Sequence, residues 1–142
     1  MPNTIDNLTA IAAHAHRYGL HTGNQFAAPG PCAPLDICAI AYIVAERCAP
    51  PAEFFTDEVA SLEIIAASAG AMQAIRAISS ALETKPSITE VAPGEEVPDY
   101  IEHVSSWVAT NPIGEQQPPS VSEVIGRIHR AIRNLDALPT AA

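Results

Sequence analysis

The chain has 142 residues, which suits one domain with a core of its own. Its net charge is −9 with seven basic residues, so it lacks the Lys and Arg that non-specific binding to nucleic acid or to an anionic membrane surface draws on. Apolar residues make up 48% of it and aromatic ones 5%, so the interior is built from Ala, Ile, Val and Leu, a composition that favours closely packed helices over sheets.

Residues 4–18 predict a first helix. Thr4 is placed as its N-cap, Asp6 suits the positive first turn, and Ile5, Leu8, Ala12 and Ala15 share a face. Gly19 fits the C-cap, with Leu20 folding back on the last turn. Residues 19–34 hold Gly19, Gly23, Gly30 and prolines 29, 31 and 34, a turn-rich connection with room for a short hairpin around Asn24–Phe26. Pro34 suits the first turn of a second helix at about 35–48, LDICAIAYIVAERC, which is apolar on nearly every face until Glu46. Such a helix belongs at the centre of a bundle. Pro50 and Pro51 stop it.

Thr56, with Asp57 and Glu58, opens a third pattern over 57–83, with a kink or split at Gly70. Residues 84–98 are polar and read as a loop or short extended piece. Tyr100, Ile101, Val104, Trp107 and Val108 mark a helix over 99–109, which TNPIGEQQPP breaks. Ser120 and Glu123 form a capping box ahead of the last helix. There Val121, Val124, Ile125, Ile128, Ile132 and Leu135 form a stripe, with Arg127, Arg130 and Arg133 on the other side. No internal repeat is present. The expectation is an all-α single domain, a bundle of five or six helices around a buried central helix at about 35–48. The loop at 19–34 is Gly/Pro-rich, and the ends are frayed at 1–3 and 138–142.

The most chemical-looking stretch is HAHRYGLHTG at 14–23, followed by Cys32 and Cys38. Zinc takes three or four N/S ligands, usually supplied in close pairs, and His14, His21 and Cys32 are the candidates. His14 and His16 stand about 200° apart on a helix, and Cys38 lies in an apolar run, where a thiol behaves as a small hydrophobe. The plain alternative is histidines at a helix C-terminus, where a cation is welcome. Cys32 or Cys38 with His21, oriented by Asp36, would be the parts of a Cys-His nucleophile, without a local signature. Glu90, Glu95, Glu96, Asp99 and Glu102 read as a solvated acidic face leading into a helix N-terminus rather than as an acid–base pair or a DNA mimic. No catalytic residue is assigned and no cofactor is expected. Three cysteines without paired spacing point to reduced thiols in a cytoplasm. The polar start MPNTIDNLTA offers no signal peptide, and the longest apolar run, ICAIAYIVA, is too short to span a bilayer.

Gly19, Gly23 and GPCAPLDICAIAYIVAE, with VSSWVATNPIGEQQPPSVSEVIGRIHRAI, resemble segments of a family of small proteins of unknown function from actinobacteria and their phages. The resemblance covers roughly 19–48 and 104–133. The chain departs from it in Val108 directly after Trp107, where a polar residue is expected, and in a longer proline-rich loop. The resemblance implies a helical fold and that host group, and supplies no catalytic residues.

The function these readings favour is a non-enzymatic interaction or structural protein, phage- or mobile-element-associated. The alternative is a small enzyme or a metal- or ligand-binding protein using residues 14–38. A homo-oligomer, most simply a dimer, is expected, along with a protein partner, and no nucleic acid or membrane. Its interface residues are Trp107, Ile128, Ile132, Arg127, Arg130 and Arg133, and the arginines meet Glu95, Glu96 or Glu102 within one chain or across a two-fold axis.

Overall fold

Asn3, not Thr4, starts the first helix. The Asn3 carboxamide accepts from the Asp6 N–H at 2.8 Å while the Asp6 carboxylate accepts from the Asn3 N–H at 3.4 Å. That reciprocal pair needs an acid three residues on, which Asn3 has and Thr4 lacks. The computed structural model describes residues 3–23, 25–29, 34–110 and 117–137. The remaining positions expected to fray, 1–2 and 138–142, lie outside the described residues. α1 (Thr4–Tyr18) buries Leu8, Ile11, Ala12 and Ala15 and ends at Gly19, whose φ of +79° suits glycine and whose N–H donates to the Ala15 carbonyl.

The described part of the connection to the next helix pairs residues 26–28 with 34–36 through isolated bridges, and Asn24, in the expected short hairpin, lies outside the described residues. Leu35 pairs with both Leu20 and Ala27, and the Asp36 N–H donates to the Phe26 carbonyl at 2.8 Å. Leu35 is therefore extended, and Pro34 stands before the helix, not in its first turn. α2 (Ile37–Glu46) is capped by Asp36, whose side chain accepts from the Cys38 N–H at 2.7 Å. Ile37 to Ala41 are buried, as the all-round apolar pattern requires, and Tyr42 to Ala45 are half-buried.

Thr56 ends a short helix rather than starting a long one. α3 (Glu53–Thr56) places Phe54, fully buried, between the rings of Phe26 and Tyr42. Asp57 caps α4 (Glu58–Ala66), and α5 (Ala69–Ala81) follows at 95°. The break falls at Ser68, not Gly70. The Ser68 hydroxyl accepts from the Ala71 N–H at 3.2 Å and donates to the Glu46 carboxylate at 2.8 Å, fixing a new helix start against the end of α2. Gly70 serves close approach instead. A Cβ there would lie 3.1 Å from the Ala45 Cβ and 3.6 Å from Asn7 Nδ2, where α1, α2 and α5 meet.

The segment expected as a loop or short extended piece is a two-stranded antiparallel hairpin, β1 (Ser87–Ala92) and β2 (Glu95–Asp99). Gly94 turns it at φ +81°, and a register shift falls between Glu90 and Ala92. Asp99 then caps α6 (Tyr100–Ala109), and Ser120 caps α7 (Val121–Asp136) by accepting from the Glu123 N–H. Only half of the expected capping box forms at this helix, because the Glu123 carboxylate takes the Ser120 hydroxyl at 3.4 Å. The fold is an all-α single-domain bundle with one hairpin appended. α2 lies in its interior, and α5 shares the centre, packing on α1, α2, α4, α6 and α7. α7 closes over α1 and α5 with Val124, Ile128 and Ala131 fully buried. Among the described residues, no single helix is long and apolar enough to cross a membrane.

The close crossing at Gly70 has a measurable consequence. In chemical denaturation, Gly70→Leu should destabilise the fold by about 1–3 kcal/mol through overpacking. Gly70→Ala should stay within about 1 kcal/mol of the parent, since better helix propensity offsets the tight contact with Ala45.

Candidate functional site

Two of the expected metal ligands lie among the described residues, His14 within α1 and His21 beyond its end. Among the described residues, no group of three or more His, Cys, Asp or Glu side chains is placed to hold a metal ion. Cys32 lies outside the described residues. His14 is half-buried, its ring 4.7 Å from that of Tyr18, and burial lowers its pKa. His16 is exposed on the last turn of α1. His21 is held by its N–H to the Leu35 carbonyl at 3.0 Å, and its charge acts on Asp36.

Asp36 is the hub of one depression among the described residues. Its Oδ1 accepts from the Cys38 N–H and from the Ser105 hydroxyl at 3.0 Å, and the Ser105 hydroxyl also lies 3.3 Å from Cys38 Sγ. Burial pushes the Asp36 carboxyl up to about 6, against the lowering pull of the Cys38 N–H, Ser105, His21 and the Ala39 N–H. Burial, with the Asp36 charge behind it, holds the Cys38 thiol well above its usual value, so it is a protonated core residue and not a nucleophile. Outside this group lies a pocket of about 290 Å³, bounded by Gln25, Phe26, Glu58, Asp99 and Glu102. The Gln25 Oε1 is buried without a hydrogen-bond partner.

A second depression, also about 290 Å³, runs between α6 and α7. Trp107 forms one wall, with the Arg127 guanidinium 5.6 Å from its ring centroid. Arg127 Nη1 donates to the Ala81 carbonyl at 3.2 Å and lies 3.4 Å from Glu83 Oε1, which Arg130 approaches at 3.6 Å. Arg133 completes the cationic rim and has no ion pair among the described residues. Gly126 faces the groove with open space where a Cβ would be.

Of the expected interface residues, Trp107, Arg127, Arg130 and Arg133 are thus brought together. Ile128 is not part of any outer surface: it is fully buried against the chain's own core, because the apolar stripe of α7 is spent on α1 and α5. Ile132 is half-buried beside it. Among the described residues Arg127 and Arg130 meet Glu83, and no ion pair joins an arginine of α7 to Glu95 or Glu96. Sequence reasoning missed Glu83, which is 44 positions from Arg127 and reaches it only through the packing of α5 on α7. It also missed His103, whose two ring nitrogens lie 2.7 Å from the Ser79 and Thr84 hydroxyls in the interior. No protein-family model, curated protein or solved structure matches the chain.

Thiol chemistry checks this placement. In the native protein Cys48, which is exposed, should label rapidly, while Cys38 should label only on unfolding. Asp36 sets a pH dependence. Its folded value of about 6 lies above the unfolded 3.8, so the folded state holds the proton more tightly, and this contribution is lost as pH rises from about 4 to about 6. Asp36→Asn keeps an N-cap acceptor and has no charge to bury. Relative to the parent it should gain about 2–3 kcal/mol between pH 3.5 and pH 7 in denaturant titrations. A constant difference would remove the buried carboxylate from the account.

Proposed function

We propose that the chain is a non-enzymatic interaction protein that docks an acidic segment of a partner protein in the groove between α6 and α7. One observation carries the reading: three of the chain's seven basic residues lie along one helix face, beside its only tryptophan, in a chain of net charge −9. Arg and Trp are the side chains that most often dominate binding energy at protein surfaces. Each exposed ion pair contributes only about 0–1 kcal/mol, so the arginines select and orient an acidic segment while the Trp107 ring and the arginine stems supply apolar contact.

A cytoplasmic setting fits the free thiols of Cys38 and Cys48. An association with actinobacteria, their phages or mobile elements rests on the resemblance at 19–48 and 104–133 alone. The other reading, a small ligand held by the 14–38 region, draws on the pocket beside Asp36, where a donor-bearing ligand would satisfy Gln25 Oε1.

Trp107 is its own reporter, since no other tryptophan contributes to the emission. Titration with an oligo-glutamate peptide in low salt should change that emission to saturation. Arg130→Ala with Arg133→Ala should weaken the response at least about tenfold, and about 0.5 M salt should abolish it. No response at millimolar peptide, or a response indifferent to both arginines, would overturn the docking role.

A further inference from the structure

The occupant of the groove can be argued from the same chain. We infer that it is the β-hairpin of a second copy, exchanged reciprocally across a two-fold axis; the inference rests on the docking role proposed above. An isolated two-stranded ribbon is marginal in water, and this one packs mainly on α6. Its register puts Ile88 opposite Pro98 and Val97 opposite Thr89, so Ile88 and Val97 stand on opposite faces. Ile88 is 57% exposed and Val97 42%, so the monomer leaves apolar surface uncovered on both sides of the ribbon.

The ribbon also carries the complementary charge. Glu90, Glu95 and Glu96 lie on it, and no Lys or Arg occurs between residues 86 and 119. Among the described residues these carboxylates pair with no arginine of their own chain, while Arg127 and Arg130 share Glu83. Ribbon and groove are different surfaces of one molecule. A one-way contact would propagate into an open chain, whereas a two-fold makes the contact twice and closes it. Carboxylate–guanidinium contacts then set the register, and Trp107 loses exposed apolar surface together with the ribbon face that carries Ile88, Glu90 and Glu96.

The test exchanges the charges. Glu95→Lys with Glu96→Lys gives a chain with a cationic ribbon and a cationic groove, and Arg130→Glu with Arg133→Glu gives one that is anionic at both. All four positions are exposed, and circular dichroism checks that the helices persist. Light scattering after gel filtration should give a two-chain mass for the parent at about 100 µM in low salt, falling towards one chain on dilution or in high salt. Each variant alone should be a monomer, and a one-to-one mixture should recover the two-chain mass, since both ribbon–groove contacts are then attractive. In a Cys32→Ser/Cys48→Ser background, Glu96→Cys and Arg133→Cys chains should form a disulfide-linked pair when mixed. A parent that is monomeric throughout overturns the inference, and so do variants that stay dimeric alone or a mixture that fails to pair. If the parent is monomeric while oligo-glutamate still moves the Trp107 emission, the groove keeps its docking role with another protein; if neither occurs, both ideas fall.

Discussion

The close approach of α5 to its neighbours is the constraint on which the rest of the bundle depends. Gly70, Ala71 and Ala74 have little or no side chain to hold helices apart, so α1 and α2 crowd against the start of α5. Ser68 turns the chain by 95° into that crowded position and ties it to Glu46 at the end of α2. The far end of α5 then delivers the Ala81 carbonyl and the Glu83 carboxylate to the arginines of α7. The composition follows from this. A chain rich in alanine and poor in aromatics gains its apolar burial from many close contacts rather than from a few large rings.

Inside the bundle, the orientation of α6 is set by polar groups. On one side Ser105 reaches Asp36 and Cys38, and on the other His103 reaches Ser79 and Thr84. These pairs join α6 to the start of α2 and to α5 and the turn that follows it, and each would leave a buried group unpaired if α6 rotated. Burial lowers the His103 pKa, with the Glu102 charge opposing it. The neutral ring's contribution is therefore full above the unfolded value of 6.5 and is lost as pH falls below it, opposite in sign to Asp36.

Much of the fold was legible where a local signal and the final packing agree. Gly19 and Ser120 mark the end of α1 and the start of α7, and the periodicity of α7 gives its buried face. Where local signals compete, the tertiary partners decide between them. Gly70 is the stronger helix breaker by composition, yet Ser68 ends α4 because its hydroxyl has both an N–H to cap and a carboxylate to bind. α3 has only four residues, too few for a period, although its Phe54 is among the most buried side chains. The hairpin lacked apolar alternation because no core lies under it. Trp107 and the arginines could be named from the sequence, but Glu83 could not. An apolar stripe also cannot say whether it closes its own chain or meets another, and Ile128, expected at an interface, is buried within its own chain.

α1 and α7 cover each other, and all of α2 to α6 lies between them in the sequence. Synthesis runs from the amino end, so α1 emerges from the ribosome long before the helix that covers part of it exists. The nascent chain can dock α1 on α2 and then on α5, but the flank of α1 that α7 covers stays wet until α7 is made. The contact that completes the bundle is also among its most distant in sequence, so its loop-closure entropy falls on the final step. An arrest in translation before α7 would strand a helical intermediate with an open apolar side, a form suited to capture by chaperones.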